Sequence, residues 1–256
     1  QKAGLAERIE VLEIAETRSI YREGDAAEAL FLILEGEVEL NLDAQDEGET
    51  PESLGVLHSG DLFGWELIEV GATCRSNAVA VGGARLLRIK EKDLFEAVQA
   101  TPYLHVPLHL MMDSFFLSLR VHLPWREADE AVIYMARRHP VFLWVKLLPG
   151  LFIFLVATLM LAYLALANIP GTTAIGLVAG VFSLAGGLWG IWTYVDWSND
   201  YSIITSRRVV FQERVVMLYD SRQEAPLDTV LANTTDTSQV GRILGYGDLV
   251  LKTYTG

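Results

Sequence analysis

From Leu147 to Val195 the chain runs 49 residues without an Asp, Glu, Lys or Arg. A bilayer core about 30 Å thick is crossed by about 20 helical residues at 1.5 Å each, so one such run holds two crossings. Residues 141–167 supply the first candidate span and residues 172–195 the second. Between them, Asn168-Ile169-Pro170-Gly171-Thr172 reads as a turn by its Pro-Gly pair and is too short to be a domain. Two buried core helices of a soluble protein are the alternative, and two adjacent uncharged runs of this length argue against it. The expectation is a transmembrane helical hairpin over 140–197.

The flanks predict its orientation. Arg137 and Arg138 precede the first span, Lys146 sits in its first turns, and Arg207 and Arg208 follow the second. The connecting turn is uncharged. Basic residues stay on the cytoplasmic side, which places both flanking parts in the cytoplasm of a multi-pass inner-membrane protein. Trp144, Trp189, Trp192, Tyr194 and Trp197 fall near the same ends, where amphipathic rings anchor in the headgroup layer. In the second span, Gly176, Gly180, Ser183, Gly187 and Gly190 are spaced 4, 3, 4 and 3, a candidate helix-packing face against the first span or another subunit.

Charge is segregated. Residues 1–139 carry 13 Lys+Arg against 25 Asp+Glu, within a net −13 for all 256 residues. So acidic a part repels nucleic acid, although a local cation can still hold a small anion. One cysteine, Cys74, permits no intrachain disulfide and fits a reducing compartment. No signal peptide is visible. The chain starts at Gln1 rather than Met and stops inside a strand-like run, so the natural protein is expected to extend beyond both ends.

Residues 9–95 read as short strands separated by glycine turns: 29–34 and 38–42 split by Glu35-Gly36-Glu37, then 54–57, 79–81 and 85–89. A mainly antiparallel double-sheet or barrel domain is indicated. Helical spacing follows over 92–99 and again from Tyr103 to Leu123.

Four pieces then stand out in order: Tyr21-Arg22-Glu23-Gly24-Asp25, the run 30–38, Gly60-Asp61-Leu62-Phe63-Gly64, and Arg75-Ser76-Asn77-Ala78. Together they resemble the cyclic-nucleotide-binding domain over most of residues 9–100. The resemblance implies a β-roll or jelly-roll domain with C-terminal helices over 1–123. It also implies a phosphate-binding cassette, a short helix whose N–H groups and one arginine hold a cyclic phosphate. Phe63-Gly64 would let backbone approach the anion, Arg75 would offer a fork of donors and Ser76 a hydroxyl. Arg75 as an ordinary salt-bridge partner is the other reading. Family members that bind nucleotide usually carry glutamate directly after the Phe-Gly pair, to accept from the ribose. Here Trp65 occupies that position and the acid is Glu66, so the ribose is read differently, the shift is tolerated, or the site is empty.

The stretch 103–123 resembles the family's C-terminal helix, which can cover the ligand and pair two subunits. His105 and His109 stand four apart and could share a metal, but Pro107 between them and no further ligand nearby favour incidental surface histidines, and no metal is expected. Instead of a helix-turn-helix, a linker over 124–139 leads into the hairpin, which excludes a transcription factor. Residues 198–256 return to strand-like runs. Ile204 to Arg208, Ala225-Pro226-Leu227 and the run 241–248 resemble bacterial pleckstrin-homology-like domains, here a partial PH-like β domain. Arg207 and Arg208 could touch anionic headgroups or simply set topology.

No catalytic constellation emerges, so the chain is read as non-enzymatic and without cofactor. Three functions remain open. One is a membrane-anchored cytoplasmic sensor of a cyclic nucleotide such as cyclic AMP, acting as a homo-oligomer through its C-terminal helix, hairpin and PH-like domain. Another is a ligand-free scaffold or oligomerisation module with a degenerate pocket. The third, an oligomeric pore, is disfavoured by the few polar residues in the hairpin.

Overall fold

The computed structural model describes residues 10–43, 51–69, 71–167, 169–215 and 219–253. Two units divide the chain: residues 1–136 with 203–208, and residues 137–202 with 209–256.

In the first unit, β1 (Glu10–Ile14), β2 (Arg18–Tyr21), β3 (Ala29–Leu42), β4 (Glu52–Leu57), β5 (Leu62–Phe63) and β6 (Asn77–Lys90) form one antiparallel sheet. Its path is β1-β6-β3-β4, with β2 also paired to β6 and β5 to β3. Runs that the sequence suggests as separate strands are continuous here. Glu35-Gly36-Glu37 bends β3 instead of reversing it, and Gly82-Gly83 bends β6 opposite. Gly36 sits at φ 90°, and a Cβ on it would lie 2.4 Å from the Gly83 carbonyl oxygen. Only a hydrogen fits where the two strands curve past each other, so the bulge there serves as a bend that folds the sheet on itself.

That fold encloses Phe31, Ile33, Val38, Leu40, Phe63 and Leu86, with Phe31 and Phe63 stacked at 5.0 Å. Next come α1 (Glu91–Ala100), a 3-10 turn (Pro102–Leu104) and α2 (His105–Arg120). The buried face of α2, Met112 and Phe116, packs with Leu30, Trp65 and Leu67 in a second apolar cluster.

The stretch 124–139 is more structured than a linker. It contains β7 (Val132–Arg137), and residues 129–131 lie along β4. Val56 bridges Glu130 in parallel, and a Cβ on Gly55 would stand 2.5 Å from the Ala131 Cα. Residues 203–208, which include the end of β8 (Tyr201–Thr205), belong to this unit as well. The Ser206 N–H donates to the Ala131 carbonyl at 2.9 Å. Glu130 is fully buried and accepts from Thr205 Oγ1 at 2.6 Å and from Arg208 at 2.9 and 2.6 Å. Burial alone would raise its pKa, but the Arg208 and Thr205 hydrogen bonds outweigh that and hold it at about 2. Arg207 pairs with Glu127 and Asp129. The two arginines that the sequence offered to lipid headgroups are therefore engaged by the acidic run 127–130.

In the second unit, α3 (Pro140–Ala167) and α4 (Thr173–Ser198) are long and apolar enough to cross a membrane. They pack on each other through small residues. A Cβ on Gly186 would stand 2.8 Å from the Gly150 carbonyl oxygen, and one on Gly150 would meet the Trp189 ring at 2.3 Å. Ser183 and Thr158 share a hydrogen bond of 2.9 Å, and Gly187 and Gly190 face Phe154 and Leu147. Gly176 and Gly180 have open space around them. The tight contact is thus centred on Gly186, outside the expected set, while a Cβ on Gly176 or Gly180 would meet no atom within 4 Å. Lys146 and Asp196, which bound the charge-free run, pair at 3.2 Å.

Beyond α4, β9 (Arg208–Val215) and β10 (Tyr219–Pro226) are hydrogen-bonded neighbours, and β11 (Val230–Asp236) pairs antiparallel with β12 (Asp248–Thr253). Between the last two, the glycine-rich run forms α5 (Gln239–Leu244). Ser238 caps its start by accepting from the Gly241 N–H at 3.0 Å, and Gly245 ends it at φ 75°.

Candidate functional site: the cassette between β5 and β6

Phe63 ends β5 and is buried, and Gly64 follows at φ 87°. A Cβ on Gly64 would lie 2.6 Å from the Ala29 carbonyl oxygen, so glycine is needed both for the left-handed turn and for the close approach. The chain then makes the 3-10 turn Trp65–Ile68 and crosses to Arg75 and Ser76 at the head of β6. Phe63, Gly64, Glu66, Arg75 and Ser76 thus fall on one connected stretch of the first unit.

Their side chains take different directions. Trp65, directly after the Phe-Gly pair, packs into the apolar cluster beside Met112 and Phe116. Glu66 turns inward and is fully buried; its Oε1 accepts the Arg75 backbone N–H at 2.8 Å. The Arg75 guanidinium lies 4.2 Å over the Phe116 ring and 3.6 Å from a Glu69 carboxylate oxygen. That position combines cation–π attraction with a half-exposed ion pair. Ser76 is fully buried.

Inside the cassette the polar accounting does not close. Tyr21 Oη, Glu66 Oε2 and Ser76 Oγ are buried without a hydrogen-bond partner. Each such atom costs about 1–3 kcal/mol. Burial raises the Glu66 carboxyl above its ordinary range, with the Arg75 N–H opposing. Burial also lifts the Tyr21 phenol well above its usual value; the Glu66 charge adds to this and the Ser76 hydroxyl opposes it. Cys74, one residue before Arg75, has its thiol pushed up to about 12 by burial, with Glu66 and Asp25 adding, which leaves it a poor nucleophile. Sequence reasoning offered Glu66 to the cassette but could not tell that its carboxylate faces inward. Tyr21 it passed over as a fold marker, since nothing local marks a phenol that will meet a residue 45 positions away.

His105 and His109 lie side by side on α2 with ring centroids 4.3 Å apart and their planes tilted by 43°. Among the described residues, no group of three or more His, Cys, Asp or Glu is placed to hold a metal.

The comparisons with known proteins follow the same division. No curated protein matches the chain. Among solved structures, the N-terminal domain of a transcriptional regulator from Streptomyces coelicolor is similar at 21% identity, covering 46% of this chain and 83% of that one, with TM-score 0.38. The cyclic-di-GMP-responsive global regulator CLP of Xanthomonas campestris is similar at 22% identity over 46% of this chain and 58% of its own, with TM-score 0.37. A cyclic-nucleotide-binding-type protein from Geobacter metallireducens is similar at 23% identity over 47% and 84%, with TM-score 0.37. Residues 142–256, most of α3 and all of α4 included, match the family model of the bacterial PH domain, and residues 11–101 match that of the cyclic nucleotide-binding domain, a regulatory rather than catalytic kind of domain.

Proposed function

We propose that this chain is a membrane-anchored sensor that binds a cyclic nucleotide at the cassette and relays occupancy to its hairpin and PH-like strands. The observation that carries this reading is the buried, unpartnered Glu66 Oε2. Tyr21 Oη and Ser76 Oγ are buried near it and make no hydrogen bond of good geometry, although the Ser76 hydroxyl lies near enough to Tyr21 to act on its phenol. Packed interiors avoid such atoms unless something polar comes to meet them. The anion would be held by Ser76 and Arg75, the latter released from Phe116 and Glu69, while Glu66 in its protonated form would donate toward ligand oxygen. The α3–α4 hairpin would lie in the inner membrane with both flanking parts cytoplasmic. In its favour are outward-facing apolar side chains such as Phe152 and Leu159, 69% and 68% exposed, and the charges clustered at one end of the pair.

Trp65 and Arg75 favour a second reading. With Trp65 filling the apolar cluster and Arg75 engaged by Phe116 and Glu69, the cassette is closed by its own side chains. A chain that never opens it would be a ligand-free membrane assembly module. Calorimetric titration of the full chain in detergent with cyclic AMP, cyclic GMP and cyclic di-GMP, beside Arg75→Ala, separates the two. Binding near 1 μM, about 8 kcal/mol, that the variant loses supports the sensor. No heat with any of the three nucleotides leaves the assembly module.

A further inference from the structure

The first unit holds a cavity of about 140 Å³ between β3, β4 and the C-terminal half of α2. Its lining is divided between apolar side chains, among them Leu40, Leu54, Leu57, Phe115, Leu119 and Leu123, and polar ones, Glu52, Ser118, Arg120, His122 and Arg126. A wholly apolar cavity of about 150 Å³ admits one benzene ring, and here the leucines and Phe115 offer that kind of surface over part of the lining. Neither Arg75 nor any other cassette residue lines it, so it is a separate compartment from the site described above.

Its charged groups are the unusual part. In a chain of net charge −13, the lining carries Arg120 and Arg126 against the single carboxylate of Glu52. Glu52 is itself 3.6 Å from His122. Arg126 is half-buried, and burial lowers its pKa, with the nearby Glu52 and Glu130 charges opposing. Yet its hydrogen bonds run to neutral carbonyl oxygens, those of Ser53 and Glu130. Glu130 spends its carboxylate on Arg208 and Thr205. Of five guanidinium N–H donors, two are used by carbonyls, which leaves donors for a planar oxyanion.

We propose that this cavity binds a small apolar carboxylate, its hydrocarbon part the size of one aromatic ring among the leucines and its carboxylate on Arg126. A monoanion is favoured over a phosphate dianion, because the Glu52 and Glu130 charges beside Arg126 repel a second negative charge. Occupancy would bear on the Arg126 bonds to Ser53 and Glu130, and so on the strap that joins residues 129–131 to 203–208. The proposal goes beyond the nucleotide reading and does not rest on it.

The test is titration of the full chain in detergent with phenylacetate and with its neutral isostere phenylacetamide, read by calorimetry and by ligand-observed NMR. The wild type is expected to bind phenylacetate with a dissociation constant of about 1 mM or tighter, and the amide about tenfold more weakly. Arg126→Gln should remove the preference for the acid. Because Arg126 also holds two carbonyls, Leu119→Trp serves as the second variant: it fills the cavity, leaves Arg126 in place, and should abolish binding of both compounds. No phenylacetate binding to the wild type, equal binding of acid and amide, or binding that survives Leu119→Trp would each overturn the proposal. The cyclic nucleotide titration with Arg75→Ala is a separate measurement, so either result can fail alone.

Discussion

At the scale of single residues, the strongest interaction described is Glu130 with Arg208 and Thr205. Breaking a buried pair by removing one partner leaves the other charge uncompensated, at a cost of about 3–5 kcal/mol. Arg208 keeps partial contact with water and stacks 5.4 Å from the Trp125 ring, so the low end is expected for Glu130→Gln. Chemical denaturation followed by tryptophan fluorescence reads this loss directly. The pH dependence has a definite sign. The folded carboxyl sits at about 2 against an ordinary 4.5, so its contribution is complete above 4.5 and is lost as pH falls toward 2. Acid titration of the wild type should therefore show destabilisation in that window that Glu130→Gln lacks. Glu66 has the opposite shift: burial favours its neutral form. If the cassette holds a cyclic phosphate, affinity should rise as pH falls through the raised Glu66 pKa, and Glu66→Gln should flatten that profile.

At the scale of elements, two close approaches decide how the pieces pack. Gly55 lets residues 129–131 lie against β4, with no room for a methyl group beside Ala131. Gly55→Ala combines that clash with a φ of 113° that side chains rarely adopt. It should cost at least about 2 kcal/mol and loosen the 129–131 strap, seen as faster amide exchange at Val56 and Ser206. In the helix pair, Gly186 meets backbone of α3 at the Gly150–Phe154 turn. Gly186→Leu should separate α3 from α4, read as lost energy transfer between labels at the two helices, whereas Gly180→Leu, with open space around it, should not.

These elements also mark how far sequence reasoning reached. The helices at 91–100 and 105–120 and both apolar helices were legible because each rests on local periodicity, whereas the turn at Gly64 was expected only from the family resemblance. The continuity of β3 through Gly36 was not, since Glu-Gly-Glu serves a turn and a bulge equally well until a partner strand bends with it. The helix at 239–244 was hidden in a glycine-rich run, with Ser238 capping its start and Gly245 its end. Strand β7 inside the expected linker depends on residues after α4, more than 60 positions away, and no local pattern announces that partner.

At the scale of the whole molecule, the proposed membrane anchor makes a topological prediction. A single cysteine placed at Gly171, in a Cys74→Ala background, should react with an impermeant maleimide from the periplasmic side of intact cells. One placed at Ser59 should react only after lysis. The reverse pattern, or equal access to both, would remove the hairpin orientation read from the arginines at its base.

What followed from amino-acid order alone is the part governed by neighbours along the chain. Forty-nine residues without charge have one economical use, two apolar helices, and the Gly60-Asp61 pair marks a turn between strand-like runs. The rest needed three dimensions, because it consists of pairings between distant positions. Arg207 and Arg208 looked like membrane-facing charge, yet fold onto acids about 80 residues earlier. Arg75 read as a phosphate ligand or a salt-bridge partner, and in the fold it lies over Phe116 and beside Glu69; Glu66, one place beyond the usual acidic position, gives one oxygen to backbone and buries the other. In each case a side chain's chemistry was visible in the sequence, while its partner was chosen by which surfaces the folded sheet and helices brought within hydrogen-bonding reach.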